Sequence, residues 1–133
     1  MGPSGGNRQQ TRCILVRDEK RKDRLVRLCF THGFISRAPV VVGTSNHISD
    51  TNRCRYMGKL LMLMDGAMAF DDFTLADRAE DLGTCGTGLS DNLGTREFLK
   101  IPEGFQGTAL TPLDCLKVIP SERASICFGC SRW

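Results

Sequence analysis

No apolar run in this chain approaches the ~20 residues of a membrane span, so a soluble, intracellular protein without a membrane partner is expected. The opening stretch, MGPSGGNRQQTR, lacks the hydrophobic core of a secretory signal. Asn7, following Gly6, does not supply the Ser or Thr of a myristoylation site. A flexible tail over 1–12 is the reading, with a short organellar presequence as the alternative. Histidine is scarce: only His32 and His47 are present, and neither lies near a nucleophile motif. The GxSxG elbow is missing around Gly88-Leu-Ser90, and no GxxxxGK[ST] phosphate loop occurs, so acyl transfer and nucleotide hydrolysis by those devices are excluded. There is no internal repeat.

What is present is ordinary for one globular domain: 133 residues, 41% hydrophobic and 25% charged. The formal charge of +3, from 18 basic and 15 acidic residues, permits an acidic or RNA partner without requiring one. Seven cysteines, an odd and scattered set, read as reduced thiols of a cytoplasmic or nuclear protein rather than as a disulfide framework.

Along the chain, Asp18 can cap a helix over the charged stretch that leads to Leu25 and Leu28, with a charged-tip hairpin as the other reading. Pro39-Val-Val-Val42 is a strand ending at the turn-forming Gly43-Thr-Ser-Asn46. Arg53–Met64 (RCRYMGKLLMLM) is followed by Asp65-Gly66, a hairpin signal, and by Met68–Leu75 as the answering strand. Gly83–Gly94, with four glycines, reads as a mobile hairpin loop, and Thr95–Ile101 alternates as a strand. Gly107–Ile119 (GTALTPLDCLKVI) holds two short apolar runs separated by Pro112, which is expected to end the first strand and set a corner.

These residues resemble the Sm/LSm family. The closing segment Gly107-Thr-Ala-Leu-Thr-Pro112 with Leu116 and Ile119, and Arg96-Glu-Phe-Leu99 before it, are similar to the divergent Sm-like auxiliary subunit of N-terminal acetyltransferase C. Gly58-Lys-Leu60 and Asp65-Gly-Ala-Met68 are similar to the first Sm motif, although their spacing is one residue too long and the glycine-rich insertion is foreign to the pattern. The resemblance implies a mainly β fold, a small, strongly bent five-stranded barrel with an N-terminal helix, occupying 13–120 between a tail at 1–12 and another at 121–133. Ala69 and Thr108-Ala109 replace the Asn and Arg-Gly with which RNA-binding members hold a base, so pairing through sheet edges is the function the resemblance implies.

The expected role is therefore a non-catalytic subunit of a protein or ribonucleoprotein assembly, without a cofactor, meeting partner subunits through Phe98, Leu110, Leu116, Val118 and Trp133. One alternative is an RNA binder using Lys20, Arg21, Lys22, Arg24 and Arg27 on phosphates. Another is a small zinc- or thiol-dependent enzyme built on Cys127 and Cys130, whose CxxC spacing is half a zinc site that Cys85 or Cys115 would complete. Asp71, Asp72 and Asp77 are further carboxylates that a cation could use, against the plainer reading of a solvated face.

Overall fold

The computed structural model describes residues 2–28, 33–48, 58–88 and 93–115. Along them run β1 (Thr11–Val16), α1 (Glu19–Leu28), β2 (Val40–His47), α2 (Gly58–Ala79), β3 (Leu82–Thr84), β4 (Thr87–Gly88), α3 (Leu93–Leu99) and β5 (Phe105–Cys115), with short 3-10 turns at Gly5–Asn7 and Gly33–Arg37. The strands form one open antiparallel sheet in the order β1-β2-β5-β3, and β4 also pairs with β5.

Helices cover both faces. Ile14, Val16, Val41 and Leu110 alternate onto one face and pack with Leu25 of α1, Ile35, Leu99 of α3 and Ile101. Leu25, Ile35, Val41 and Leu110 are essentially inaccessible to solvent, each burial stabilising the fold by roughly 1.5–3 kcal/mol. The opposite face, carrying Thr44 and Asn46, receives α2, where the fully buried Asn46 donates from Nδ2 to the Met62 carbonyl at 2.9 Å. Gly66 lets helix and strand approach this closely, because a β-carbon there would collide with the Asn46 amide nitrogen.

The helix expected after Asp18 is present. Asp18 Oδ1 accepts from the Arg21 amide at 2.8 Å, an N-cap that satisfies one of the first-turn donors. β2 begins where the valines predict, but it runs on through Gly43–Asn46 to His47 instead of turning.

Three expectations are corrected. The fold is not mainly β and not a closed Sm-like barrel: it is an α/β sandwich around an open sheet. The proposed hairpin about Asp65-Gly66 is the single 22-residue helix α2, and the proposed strand over Thr95–Ile101 is α3 with its exit. The physical reason lies in composition: from Gly58 to Phe73 there is no β-branched residue, and Leu, Met, Ala and Lys favour a helix once one side packs on a sheet.

Pro112 makes no corner either. β5 continues through it, pairing Pro112 with Val41. The proline is tolerated where the neighbouring ladder is broken: β3 ends at Thr84 opposite Leu113 and β4 begins at Thr87 opposite Leu110. Across that gap the Cys85 amide donates to the Thr111 hydroxyl at 3.0 Å in place of a backbone carbonyl. The glycine-rich stretch thus includes β3's last two residues, β4 and, from Leu93, the start of α3, while 89–92 lie outside the described residues. At the N-terminus, 2–10 lie against α2 and Thr11 already belongs to β1.

Candidate functional site

One face of α2 sets the site. Leu63, Ala67, Phe70, Asp71 and Thr74 recur at helical spacing and, with Gly66, line one side of a cavity of about 380 Å³. Thr108 and Ala109 of β5 line the other side. A β-bulge brings Thr108 there: Thr44 pairs with Ala109 and Ser45 with Gly107, leaving Thr108 as the extra residue. The bulge is held by side chains. Thr44 Oγ1 and Thr108 Oγ1 are 3.0 Å apart, Thr108 Oγ1 donates to the Thr44 carbonyl at 3.2 Å, and the Ala109 amide donates to Thr44 Oγ1 at 3.2 Å.

Beside the cavity, the connector between β3 and β4 abuts the Phe70 ring. A β-carbon on Gly86 would stand 2.9 Å from that ring, so glycine is required for the contact. The cavity is therefore a slot with apolar walls of leucine, phenylalanine and alanine, and a polar set of Thr74, Thr108 and Asp71. Thr74 Oγ1 donates to the Asp71 carbonyl at 2.9 Å, and the exposed Asp71 carboxylate has no partner among the described residues.

At the N-terminal half of α2, the buried Asp65 carboxylate accepts from the Gly5 amide at 2.9 Å and from Gln10 Nε2 at 3.0 Å, tying residues 5–10 to the helix. Further along α2, Asp77 is buried with Oδ2 lacking a hydrogen-bond partner among the described residues, and burial pushes its carboxyl pKa up. A second cavity, about 350 Å³, lies over the β3 edge and includes Phe34, Arg37, Cys85 and Asp114.

The basic residues singled out in the sequence lie on α1. Lys22 is buried and donates from Nζ to the Ala38 carbonyl at 2.5 Å. Arg21 and Arg24 stack on the Phe98 ring of α3, 5.3 and 5.1 Å from its centroid. Lys20, Arg24 and Arg27 share a shallow depression with Asp23. Leu110 is at the centre of the core, and Phe98 is half-buried beneath the arginines. Leu116, Val118, Cys127, Cys130 and Trp133 lie outside the described residues, as does His32. His47 packs edge-on against Phe105 at 4.8 Å. Cys85 and Cys115 are exposed free thiols, and no cluster of three or more His, Cys, Asp or Glu able to hold a metal occurs among the described residues. Of the cavity residues the sequence offered Asp71 as a ligand-binding group, and Gly66, Ala67, Thr108 and Ala109 as parts of the Sm-like resemblance. The helical recurrence of small and apolar residues from Leu63 to Thr74 was the available signal.

No protein-family model matches the chain, and no curated protein is similar to it in sequence. Its fold does have solved counterparts. NfrA2 of B. megaterium superposes with a TM-score of 0.78 at 19% identity, covering 91% of this chain and 55% of that one. A nitroreductase family protein from Clostridium novyi NT gives 0.73 at 25% identity, covering 86% and 65%. An NADPH:FMN oxidoreductase from Vibrio harveyi, solved with NAD+, gives 0.75 at 15% identity, covering 99% and 63%. The chain thus spans between about half and two thirds of the length of these proteins.

The Sm/LSm resemblance is overturned by these superpositions, and the readings that rested on it go with it: a non-catalytic subunit, pairing with protein subunits or RNA in a ribonucleoprotein, and lacking a cofactor. Among the described residues no helix is long and apolar enough to cross a membrane. The described architecture is the fold shared by these nitroreductase and flavin oxidoreductase structures.

Proposed function

We propose that this chain is the flavin-holding core of an oxidoreductase that takes electrons from a nicotinamide nucleotide and delivers them to a small organic acceptor such as a nitroaromatic. The observation that carries this reading is the slot between α2 and β5, set in a fold shared with an NADPH:FMN oxidoreductase. Its volume lies within the roughly 300–1,000 Å³ of small-molecule sites.

The apolar walls of the slot suit an isoalloxazine ring. Leu63, Ala67, Phe70 and Ala109 offer apolar surface to its faces and its dimethylbenzene end, and Gly66 adds no bulk. Asp71 and the lone pairs of Thr74 and Thr108 offer acceptors to a ring N–H. When bound, the flavin supplies two-electron chemistry, accepting hydride from a reduced nicotinamide and passing it on. For a nitro acceptor the balance is R–NO2 + NADPH + H+ → R–NO + NADP+ + H2O. The chain's own contribution is to exclude water with the Phe70 wall and to orient the ring by its polar edge.

Purified protein titrated with flavin tests the reading. Quenching of flavin fluorescence with a saturable isotherm, together with flavin-dependent NADPH oxidation that requires a nitroaromatic, is the expected result. Absence of binding at flavin concentrations in the tens of micromolar, a range typical of weak cofactor sites, would overturn it.

A further inference from the structure

The α2–β5 slot offers its occupant acceptors and a negative charge. Thr74 directs its hydroxyl proton at the Asp71 carbonyl and Thr108 directs its own at Thr44, so both hydroxyls present lone pairs to a ligand. Asp71 lines the slot, is exposed, and makes no hydrogen bond or ion pair through its carboxylate among the described residues. Its chain neighbour Phe70 gives the same cavity an aromatic wall, packed against the Gly86 connector and 6.4 Å from the Phe73 ring.

A free carboxylate beside an aromatic ring is the pair of groups that holds an organic cation, the first through a charge-assisted hydrogen bond and the second through its ring quadrupole. The surroundings have the same sign. Asp72 and Asp77 stand on this half of α2, and Arg78, the one basic residue from Phe70 to Ala79, lies 3.8 Å from Asp81. From Leu63 to Thr74 the lining runs for about 16 Å along the helix, apolar at Leu63 and Ala67 and polar at Asp71 and Thr74. A planar apolar body can lie along the first part while a charged nitrogen meets the second.

We infer that the slot recognises planar organic cations, protonated heteroaromatic amines whose rings lie over Leu63, Ala67 and Phe70 and whose N–H groups reach Asp71, Thr74 and Thr108. Such a ligand brings several donors and a positive charge, where a flavin ring brings one N–H and no charge. The inference goes beyond the flavin reading and does not depend on it. Toward a flavin in the slot, these cations are competitors.

The experiment is a pair of fluorescence titrations of the full chain, with 9-aminoacridine, a three-ring cation at neutral pH, and with acridone, its neutral counterpart carrying a carbonyl in place of the amino group. Both are run at low and at near-physiological salt, on the unmodified chain, Asp71→Asn and Asp72→Asn, with circular dichroism confirming that the variants fold. The cation is expected to bind about tenfold tighter than acridone at low salt, with the gap narrowing as salt rises. Asp71→Asn should weaken the cation about threefold to fivefold and leave acridone unchanged. Asp72→Asn makes the same change of charge outside the lining and should weaken it less than about twofold. Equal affinities for the two acridines, or equal effects of the two variants, would overturn the inference. Where riboflavin also binds, it should displace the cation competitively, and simultaneous binding would overturn the placement in this slot. Cation binding without flavin binding would sustain the inference and remove the flavin reading, whereas flavin binding with no preference for the cation would do the reverse.

Discussion

Asp77 has a carboxyl oxygen with no partner among the described residues, in a buried position on α2, and burial raises its pKa. A group that holds its proton more tightly when folded favours the native state at low pH. That advantage is lost as pH rises from the unfolded value, about 3.9, through the higher native one. Asp77→Asn removes the titration. Urea unfolding of the two proteins across that window should show the variant gaining on the unmodified chain as pH increases, then a constant difference above the native pKa. Gly66 tests a different force. Alanine there gains about 1 kcal/mol of helix propensity. Its β-carbon, however, displaces the Asn46 amide, which is enclosed and already bonded to Met62. Overpacking of about 1–3 kcal/mol plus the lost hydrogen bond should dominate, so Gly66→Ala destabilises. In the Asn46→Ala background the same change should be neutral or favourable, and a double-mutant cycle by denaturant titration measures that coupling.

α2 is where element and sequence part company. Its apolar run, broken by Asp65-Gly66, matches a hairpin when read two residues at a time, and both residues are instead interior to a helix because each meets a specific neighbour. Asp65 receives the N-terminal segment and Gly66 receives Asn46. Such tertiary reasons are invisible along the chain. The dearth of β-branched residues was visible, and with the hydrophobic length it favoured the helix. By contrast α1 and the start of β2 were legible, because a cap at Asp18 and three consecutive valines are local signals. The slot was not legible: its two halves are 34 or more positions apart in the chain, counted from Thr74 to Thr108, and are joined only when a bulge turns Thr108 outward. Two expectations belong to this scale. Ala69→Pro, in mid-helix, should cost about 3 kcal/mol or more and reduce helical circular dichroism, whereas a hairpin would tolerate it near the turn. Asp65→Ala should leave the Gly5 amide and the Gln10 side chain without their acceptor, costing about 1–3 kcal/mol and accelerating hydrogen exchange at Gly5.

For the molecule as a whole, ligand and fold are linked. If the slot holds flavin in the native state alone, riboflavin at a hundred times its dissociation constant adds about 2.7 kcal/mol of stability. Thermal melts should then rise by several degrees, and unchanged melts at saturating riboflavin would contradict occupancy of the native state. The sheet order carries another consequence. β5 is the last described strand along the chain, yet it stands inside the sheet, with β2 on one flank and β3 and β4 on the other. During synthesis, everything made before Phe105 emerges as a β1–β2 ribbon and helices with no strand to bridge them to β3. The ribosome must therefore deliver nearly all of the described chain before the sheet can close, and pausing upstream of β5 would expose apolar surface to chaperones and proteases.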